Sequence, residues 1–427
     1  MGGMKLFGIT APSTGSGKTS VTLGILSNLK NATSFKIGPD YIDPMLSSSI
    51  TGNQTHNLDR WIQGRHFRKA LELASSKFDY GVVEGVMGLH DSGMDMDLST
   101  YFYFRALKIP YILVIDVSKL AESAYYMASG FLGKLALGVI INNYYSEKHL
   151  QMVSKPFLEH NVKIIGAIPH SEDLSIPERH LGLFMVNEVE NLSGKAREIG
   201  RHINMDFLDS VPDVHYPVLK SEIPEKGSSS IWIARDGAFS FYYGSTMEFL
   251  ERLGEINYFS PVSGEVPENP DFVYFGGGYP ELYAKSLSEA SKLRSSIRDV
   301  SESGIPVIGE CGGLMYLESN LSVEGRDYAM SGVFSGSAEM TGHLTLGYTE
   351  LYVVKDNPLF SMGETVYGHE YHYSNISDST EKTMKNLRGR GIDGMDGMVS
   401  RNTLGSYTHI DFLRYGKRVR KLVKPRL

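Results

Sequence analysis

The stretch Ala11-Pro12-Ser13-Thr14-Gly15-Ser16-Gly17-Lys18-Thr19-Ser20 decides the reading of this chain. A short apolar run, Leu6 to Ile9, precedes it, and a helix-like run, Val21 to Leu29, follows. Strand, glycine-rich turn, Lys-Thr and helix in that order form the layout of a phosphate-binding loop. Gly15 and Gly17 let the backbone N–H groups of Thr14 to Gly17 point inward at phosphate oxygens, and the positive end of the helix dipole adds to the attraction. Lys18 supplies a cation for the terminal phosphates and Thr19 a hydroxyl for magnesium. Pro12 stands where the usual pattern has its first glycine, so this is a variant of that loop. A Gly-Ser turn carrying Lys-Thr by chance is the plain alternative; the strand before and the helix after argue against it.

The rest of the composition narrows the class. At 427 residues the chain has room for two to three domains, each with a full core. A net charge of −7 disfavours a nucleic-acid binder. The basic tail from Arg414 to Arg426 reads as a solvated terminal helix. The single cysteine, Cys311, cannot form a disulfide within the chain and fits a reducing, cytoplasmic setting. No apolar run reaches the ~20 residues that span a bilayer, and the start lacks an apolar signal core.

In the first half, apolar strands end in polar residues. Ser34 to Ile37 leads into Lys36-Ile-Gly-Pro-Asp40-Tyr41-Ile-Asp43-Pro44. Asp40 and Asp43 in this rigid turn could hold magnesium or place a hydroxyl near the phosphates; an Asx turn with helix capping is an equal alternative. Asn57-Leu58-Asp59 reads as the cap of a helix through Trp61 toward Ala74. Phe78 to Val83 ends in Glu84, the carboxylate a nucleotide site needs for its metal. A loop with Gly85, Gly88, His90 and Asp91 follows. Tyr111 to Ile115 ends in Asp116, and Leu137 to Ile141 in Asn142-Asn143; Lys163 to Ile168 is a sixth strand. Near-continuous apolar strands separated by helical stretches predict an α/β domain with a parallel sheet covered on both faces. Ligands sit at the carboxyl ends of such strands, which is where Lys18, Asp40, Asp43, Glu84, Asp116 and Asn142 fall. Arg179 is a candidate contact for an anionic substrate, or a surface ion pair.

We expect domains at 1–205 and 231–427 with a linker at 206–230, which is rich in Pro, Glu, Lys and Ser. Strand pattern restarts at Ile231 to Ala234 and continues at Ile256 to Ser260 and Phe272 to Phe275, the last ending in Gly276-Gly277-Gly278-Tyr-Pro-Glu-Leu282. Ile305 to Ile308 leads into Gly309-Glu310-Cys311-Gly312-Gly313. A G-x-C-x-G between strand and helix has the geometry of a nucleophile elbow. The helix N-terminus is expected to lower the thiol pKa. The N–H of Gly312, with donors from Gly277 and Gly278, would form an oxyanion hole. The base is His409, with Asp411 on the same face of an extended segment to orient it; His369 and His372 are read as structural or substrate-lining.

Taken together these motifs resemble the cobyrinate a,c-diamide synthase family, of the wider cobyric acid synthase and dethiobiotin synthetase type. The matching blocks run through nearly the whole chain: the loop at 11–19, Lys36 to Pro44, Val82 to Asp91, Ile176 to Leu183, Phe275 to Leu282, Gly309 to Tyr316 and Ser406 to Phe412. Members often carry His where Asp411 stands; Asp is closer to the His-x-Glu of other triad amidotransferases. The resemblance implies a P-loop NTPase-like parallel-sheet domain followed by a second α/β domain, a class I glutamine amidotransferase. Thr14, Gly15, Ser16, Gly17, Lys18, Thr19 and Asn142 would bind ATP. Thr19, Asp40 and Glu84 would hold Mg2+, and Lys36, Asp40, Tyr41, Asp43 and Asp91 would serve substrate and phosphoryl transfer. The expected reaction is amidation of the a and c acetate carboxylates of cobyrinate through an acyl phosphate, with ammonia released from glutamine at Cys311. Partners would be ATP, glutamine and a tetrapyrrole carboxylate, without nucleic acid or membrane, and with a homodimer left open. Relatives that amidate nickel-sirohydrochlorin carry the same motifs. Cobyric acid synthase, or a nucleotide-switched regulatory protein with an inactive amidotransferase domain, are more distant alternatives.

Overall fold

The computed structural model describes residues 3–174, 176, 191–216 and 227–424. Arg179, most of the Ile176 to Leu183 block, and the centre of the expected linker lie outside the described residues. The chain forms two compact units: residues 1–60 with 65–219, and residues 61–64 with 220–427.

The first unit is built on β1 (Met4–Thr10), β2 (Ala32–Ile37), β3 (His56–Leu58), β4 (Tyr80–Glu84), β5 (Tyr111–Asp116), β6 (Ala136–Tyr144) and β7 (Ile164–Pro169), in the order β3-β2-β4-β1-β5-β6-β7. Every pairing along that path is parallel. The strands alternate between two buried faces, as the two-residue period of a strand requires. Phe7 and Ile9 enter one core cluster with Val82, Ile112 and Val114, while Met4 and Leu6 enter another with Val83 and Phe104. Each such fully buried side chain contributes about 1.5–3 kcal/mol. Helices α1 (Lys18–Asn28) and α2 (Ile42–Thr51) follow β1 and β2. The short strand β8 (Asp213–Val214) pairs antiparallel with β1, and Lys5 Nζ donates to the carbonyls of Leu208 and Val211. The opening residues of the 206–230 stretch therefore pack into the first unit.

Two local expectations differ. Asn57 and Leu58 lie in β3, and the Asn57 side chain donates to the carbonyls of Gly38 and Asp40. The helix expected through Trp61 to Ala74 is broken into Arg60–Gln63, a 3-10 turn Gly64–Arg68, and Lys69–Ala74. Gly64 at φ +57° interrupts it, a conformation most residues avoid.

The second unit has a parallel half: β9 (Ser229–Ala234), β10 (Gly254–Phe259), β11 (Phe272–Phe275) and β12 (Val307–Glu310), continued by β19 (Thr403–Ser406) in the order β10-β9-β11-β12-β19. Beyond β19 the sheet turns antiparallel through β18 (Met395–Ser400), β17 (Lys382–Arg388) and β15 (Ser337–Val353). Also paired there are β16 (Thr365–Ser377) on β15, and β13 (Asn320–Val323) with β14 (Arg326–Ala329). Again neighbouring residues face opposite cores: Val273 and Phe275 on one side, Phe272 and Tyr274 on the other. The outcome in both units is a row of polar residues at the ends of central parallel strands, beside tight glycine turns.

Candidate functional site

In the first unit the phosphate loop joins β1 to α1. Gly15 and Gly17 adopt φ of +79° and +92°, and Gly17 caps α1. A side chain at Gly17 would lie 2.3 Å from Asn142 Nδ2, which donates to the Ser16 carbonyl at 3.1 Å. Only glycine therefore lets Asn142, near the end of β6, hold the loop. Thr14 and Gly15 are exposed at its crest, whereas Ser16 is buried. Lys18 Nζ donates to the Ser13 carbonyl at 3.2 Å, so it lies folded along the loop. Asp91 Oδ2 accepts from the Gly88 N–H at 2.8 Å, and a side chain at Gly88 would strike the Pro12 carbonyl at 2.4 Å. The Asp91 turn thus rests against the loop at Pro12.

Strand register places Lys36 opposite Glu84, and Ile9 opposite Glu84 on the other side. Lys36 Nζ donates to Asp43 Oδ2 at 2.6 Å and Glu84 Oε1 at 2.8 Å, and lies 3.9 Å from Asp40 Oδ2. Thr19 Oγ1 donates to Glu84 Oε1 at 2.8 Å. Burial opposes the Lys36 charge, but Asp43, Glu84 and Asp40 outweigh it and hold the ammonium well above the ordinary lysine range. Burial likewise pushes Glu84 up, against the pull of Lys36. Asp40 Oδ1 accepts from the N–H groups of Ile42 and Asp43, so one oxygen serves the start of α2. Tyr41, just before that helix, is buried. Asp116 lies aside from this group: its carboxylate accepts from Ser118 N and Asn143 Nδ2.

The metal expectation can be tested on Glu84. Its Oε2 is buried and makes no hydrogen bond, while Oε1 faces the loop threonine. An oxygen-only pair of that kind suits Mg2+, which binds through one or two carboxylates plus substrate phosphates. Among the described residues no group of three His, Cys, Asp or Glu could hold a metal without such phosphates.

Burial, then the charge of Lys36, lowers Lys18 to about 8. Phosphate binds the charged form. Above pH 8 the free chain has lost this proton, and nucleotide binding must take it up. Affinity for Mg-ATP should therefore fall by about tenfold per pH unit above about 8, with uptake of about one proton. Titration calorimetry between neutral pH and pH 9.5 in buffers of different ionisation enthalpy checks this; a flat affinity contradicts it.

In the second unit Cys311 sits between β12 and the helix Gly312–Leu317 at φ +51° and ψ −101°, the strained turn of an elbow. Its N–H donates to the Ser406 carbonyl at 2.8 Å, and its thiol to the Tyr371 carbonyl at 3.2 Å. The expected lowering of the thiol pKa is not found. Burial pushes it well up, and the carboxylate of Glu281 adds to this. The helix has only six residues and its dipole cannot offset full desolvation.

The turn after β11 closes around this residue. A side chain at Gly312 would lie 3.1 Å from the Gly278 N–H, and one at Gly277 would lie 2.3 Å from His409 Cε1 and 3.1 Å from Nε2. Gly277, Gly278 and Gly312 are thereby brought together with His409, and the space a Cβ would fill is kept clear. His409 is fully buried. Its backbone pairs both ways with that of His369, and the two rings stack with centroids 5.0 Å apart. Burial holds both imidazoles neutral, His409 well below the ordinary range and His369 at about 3. Tyr243 OH bonds His369 Nδ1 at 2.7 Å, while His372 stacks on Tyr407 and donates from Nδ1 to the Ser374 carbonyl. Asp411 Oδ2 accepts from Gln63 Nε2 at 2.8 Å and from Ser245 Oγ, and Oδ1 from Leu413 N.

Two carboxyls here escaped the sequence analysis. Glu310, next to the nucleophile, was one variable position of the elbow pattern; Glu281 belonged to a glycine turn read only for its backbone. Burial raises Glu281 to about 7 and Glu310 to about 8.

Residues 7–184 match the family model described as the CobQ/CobB/MinD/ParA nucleotide binding domain, and residues 230–416 that of the CobB/CobQ-like glutamine amidotransferase domain. A cobyrinate a,c-diamide synthase of Sulfolobus acidocaldarius is 36% identical over 95% of this chain and 97% of its own length. The enzymes so named from Saccharolobus solfataricus and Clostridium tetani are 35% and 37% identical, over 97% and 96% of this chain and 100% and 97% of their own. The chain belongs to the cobyrinate a,c-diamide synthase family. As a member it is a glutamine-dependent carbon–nitrogen ligase with ATP as co-substrate, built from a parallel-sheet nucleotide-binding half and an α/β amidotransferase half. Among the described residues of this cobyrinate a,c-diamide synthase relative no helix is long and apolar enough to cross a membrane.

Proposed function

We propose that the chain amidates the a and c acetate carboxylates of cobyrinate, in cobalamin biosynthesis, with ATP and glutamine. The observation that carries this reading is the match of both halves together, over 95–97% of the chain, to proteins named for that reaction. The site chemistry supports it. A carboxylate resists ammonia because oxide is a very poor leaving group. Its oxygen attacks the γ-phosphorus of ATP, ADP departs, and an acyl phosphate remains. Ammonia then attacks the acyl carbon and phosphate leaves.

Thr14 to Gly17 cradle the phosphates, and Lys18 swings from the Ser13 carbonyl to the terminal phosphates. Thr19 and Glu84, with Asp40 beside them, would hold magnesium, which when bound offsets charge developing on the transferred group. Lys36 keeps Asp43 and Glu84 in place and lends positive charge to the acceptor carboxylate. Tyr41 and Asp91 would serve the acceptor carboxylate.

At the second centre His409 takes the thiol proton as Cys311 Sγ attacks the side-chain amide of glutamine. The N–H groups of Gly278 and Gly312 receive the oxyanion, and His409 returns the proton to the leaving ammonia. Water then hydrolyses the glutamyl thioester. A buried, protonated thiol beside a neutral base suits a nucleophile that forms its thiolate only once glutamine fills the site.

Parallel incubations with ATP, glutamine and either cobyrinate or nickel-sirohydrochlorin, read by mass spectrometry, test the substrate. We expect cobyrinate to gain two amides. Turnover of nickel-sirohydrochlorin alone would transfer the reading to that acceptor, and turnover of neither would overturn it.

A further inference from the structure

His409 needs a partner at Nδ1 if Nε2 is to accept a proton from Cys311. Glu310 ends β12 with 2% exposure. Its Oε2 accepts from Tyr274 OH at 2.6 Å, and its Oε1 from the Ile410 N–H at 3.1 Å. That N–H belongs to the residue after His409, so Glu310 grips the backbone that carries the imidazole. The same Oε2 lies 3.8 Å from His409 Nδ1. Cε1, the carbon between the two ring nitrogens, faces the space kept clear at Gly277, where a Cβ would lie 3.1 Å from Nε2 and 3.4 Å from Nδ1. The imidazole thus has a carboxyl beside Nδ1 and the glycine turn against Cε1. At 3.8 Å the approach is ionic in range rather than a hydrogen bond; such contacts tighten when the reacting complex forms. Asp411, the partner suggested by sequence spacing, has its two oxygens taken up by Gln63, Ser245 and Leu413.

We propose that Glu310, immediately before the nucleophile, is the residue that positions His409 and, in its ionised form, balances the imidazolium as Cys311 loses its proton. The inference rests on the reading of Cys311 and His409 as nucleophile and base. The covalent steps are unchanged: the thiol proton moves to Nε2 and Glu310 gains no bond.

Glu310→Gln keeps the volume and one oxygen to accept from the Ile410 N–H, while its amide NH2 can donate to the Tyr274 hydroxyl, and it removes the carboxylate charge beside Nδ1. Glutaminase kcat should fall by about 10²–10⁴-fold while KM for glutamine stays within about threefold of wild type. Ammonia-dependent synthesis and the melting midpoint should stay at the wild-type level. Asp411→Asn should lose less kcat than Glu310→Gln. A Glu310→Gln kcat within about threefold of wild type overturns the proposal, as does a larger loss in Asp411→Asn at equal KM. If Glu310→Gln fails to fold, Glu310→Asp, which withdraws the charge from Nδ1, carries the same test. Its kcat should fall at fixed KM, and a wild-type kcat overturns the proposal. Cys311→Ser separates the layers. If it is inactive while Glu310→Gln is normal, only the Glu310 inference falls; if it still hydrolyses glutamine, the underlying site reading falls with it.

Discussion

A Cys311→Ser chain should make no amide from glutamine and full amide from ammonia. Glutamine-dependent turnover should drop by at least about 10⁴-fold, the scale seen when a nucleophile of this kind is removed. Serine is far less acidic than a thiol, and burial lowers the basicity of the imidazole that would take its proton. The exchange is nearly silent in structure. A hydroxyl can make the bond that the thiol donates to the Tyr371 carbonyl, and the backbone at φ +51° is unchanged. Stability should therefore shift by less than about 1 kcal/mol. The measurement is paired: glutamate release and tetrapyrrole amidation, each with glutamine and with ammonium salt at alkaline pH. Wild-type rates with glutamine would remove Cys311 from the mechanism. Loss with both nitrogen sources would mean that the substitution had damaged more than the amidotransferase half.

The two candidate sites were legible in the sequence wherever chemistry and backbone geometry coincide in a few residues. The loop at 11–20 needs Gly15 and Gly17 at positive φ, and the elbow needs small residues around Cys311; both constraints are written locally. The parallel strands of the first unit were legible because buried strands are apolar on both faces. The antiparallel half of the second unit was not. β15 shifts register between Met340 and Thr345, so its apolar residues do not alternate cleanly and no two-residue period emerges. β3 was hidden for another reason: three residues, His56–Leu58, are too few to show a period.

At the candidate sites, spacing alone suggested Cys311, His409 and Glu84, but not what surrounds them. The Asp411 suggestion came from two-residue periodicity. Glu310 reaches His409 through register between β12 and β19, which brings residues 310 and 406 side by side. That is a long-range fact that no local pattern holds. The thiol shows the same limit. A helix N-terminus is visible in sequence and argues for a lowered pKa, whereas burial, which wins, depends on packing from β16 and β19.

Lys36→Met tests the corresponding long-range arrangement in the first unit, and its effect should be larger on folding than that of Cys311→Ser. Lys36 is the cation between Asp43 and Glu84, which are 8% and 2% exposed. Methionine fills the space but leaves the two carboxylates without the ammonium that bonds both of them. Removing one partner of a buried ion pair typically costs about 3–5 kcal/mol. The deficit should depend on pH. In the wild type the raised Lys36 pKa gives a contribution that is complete below the unfolded lysine value and is lost only as pH rises through the higher folded one. It is therefore constant across pH 5–8, to order of magnitude. In the variant, Glu84 already lies high through burial and loses the cation that held it down. Its folded state binds more protons than its unfolded state, so stability falls as pH rises. The deficit should be largest near neutral pH and narrow toward pH 5 as the carboxyl protonates. Denaturation of the variant and wild type across that range measures this, and a deficit below about 1 kcal/mol with no pH trend would contradict it. Activity should be lost with glutamine and ammonia alike, because the defect lies where the acceptor is activated rather than where ammonia is made.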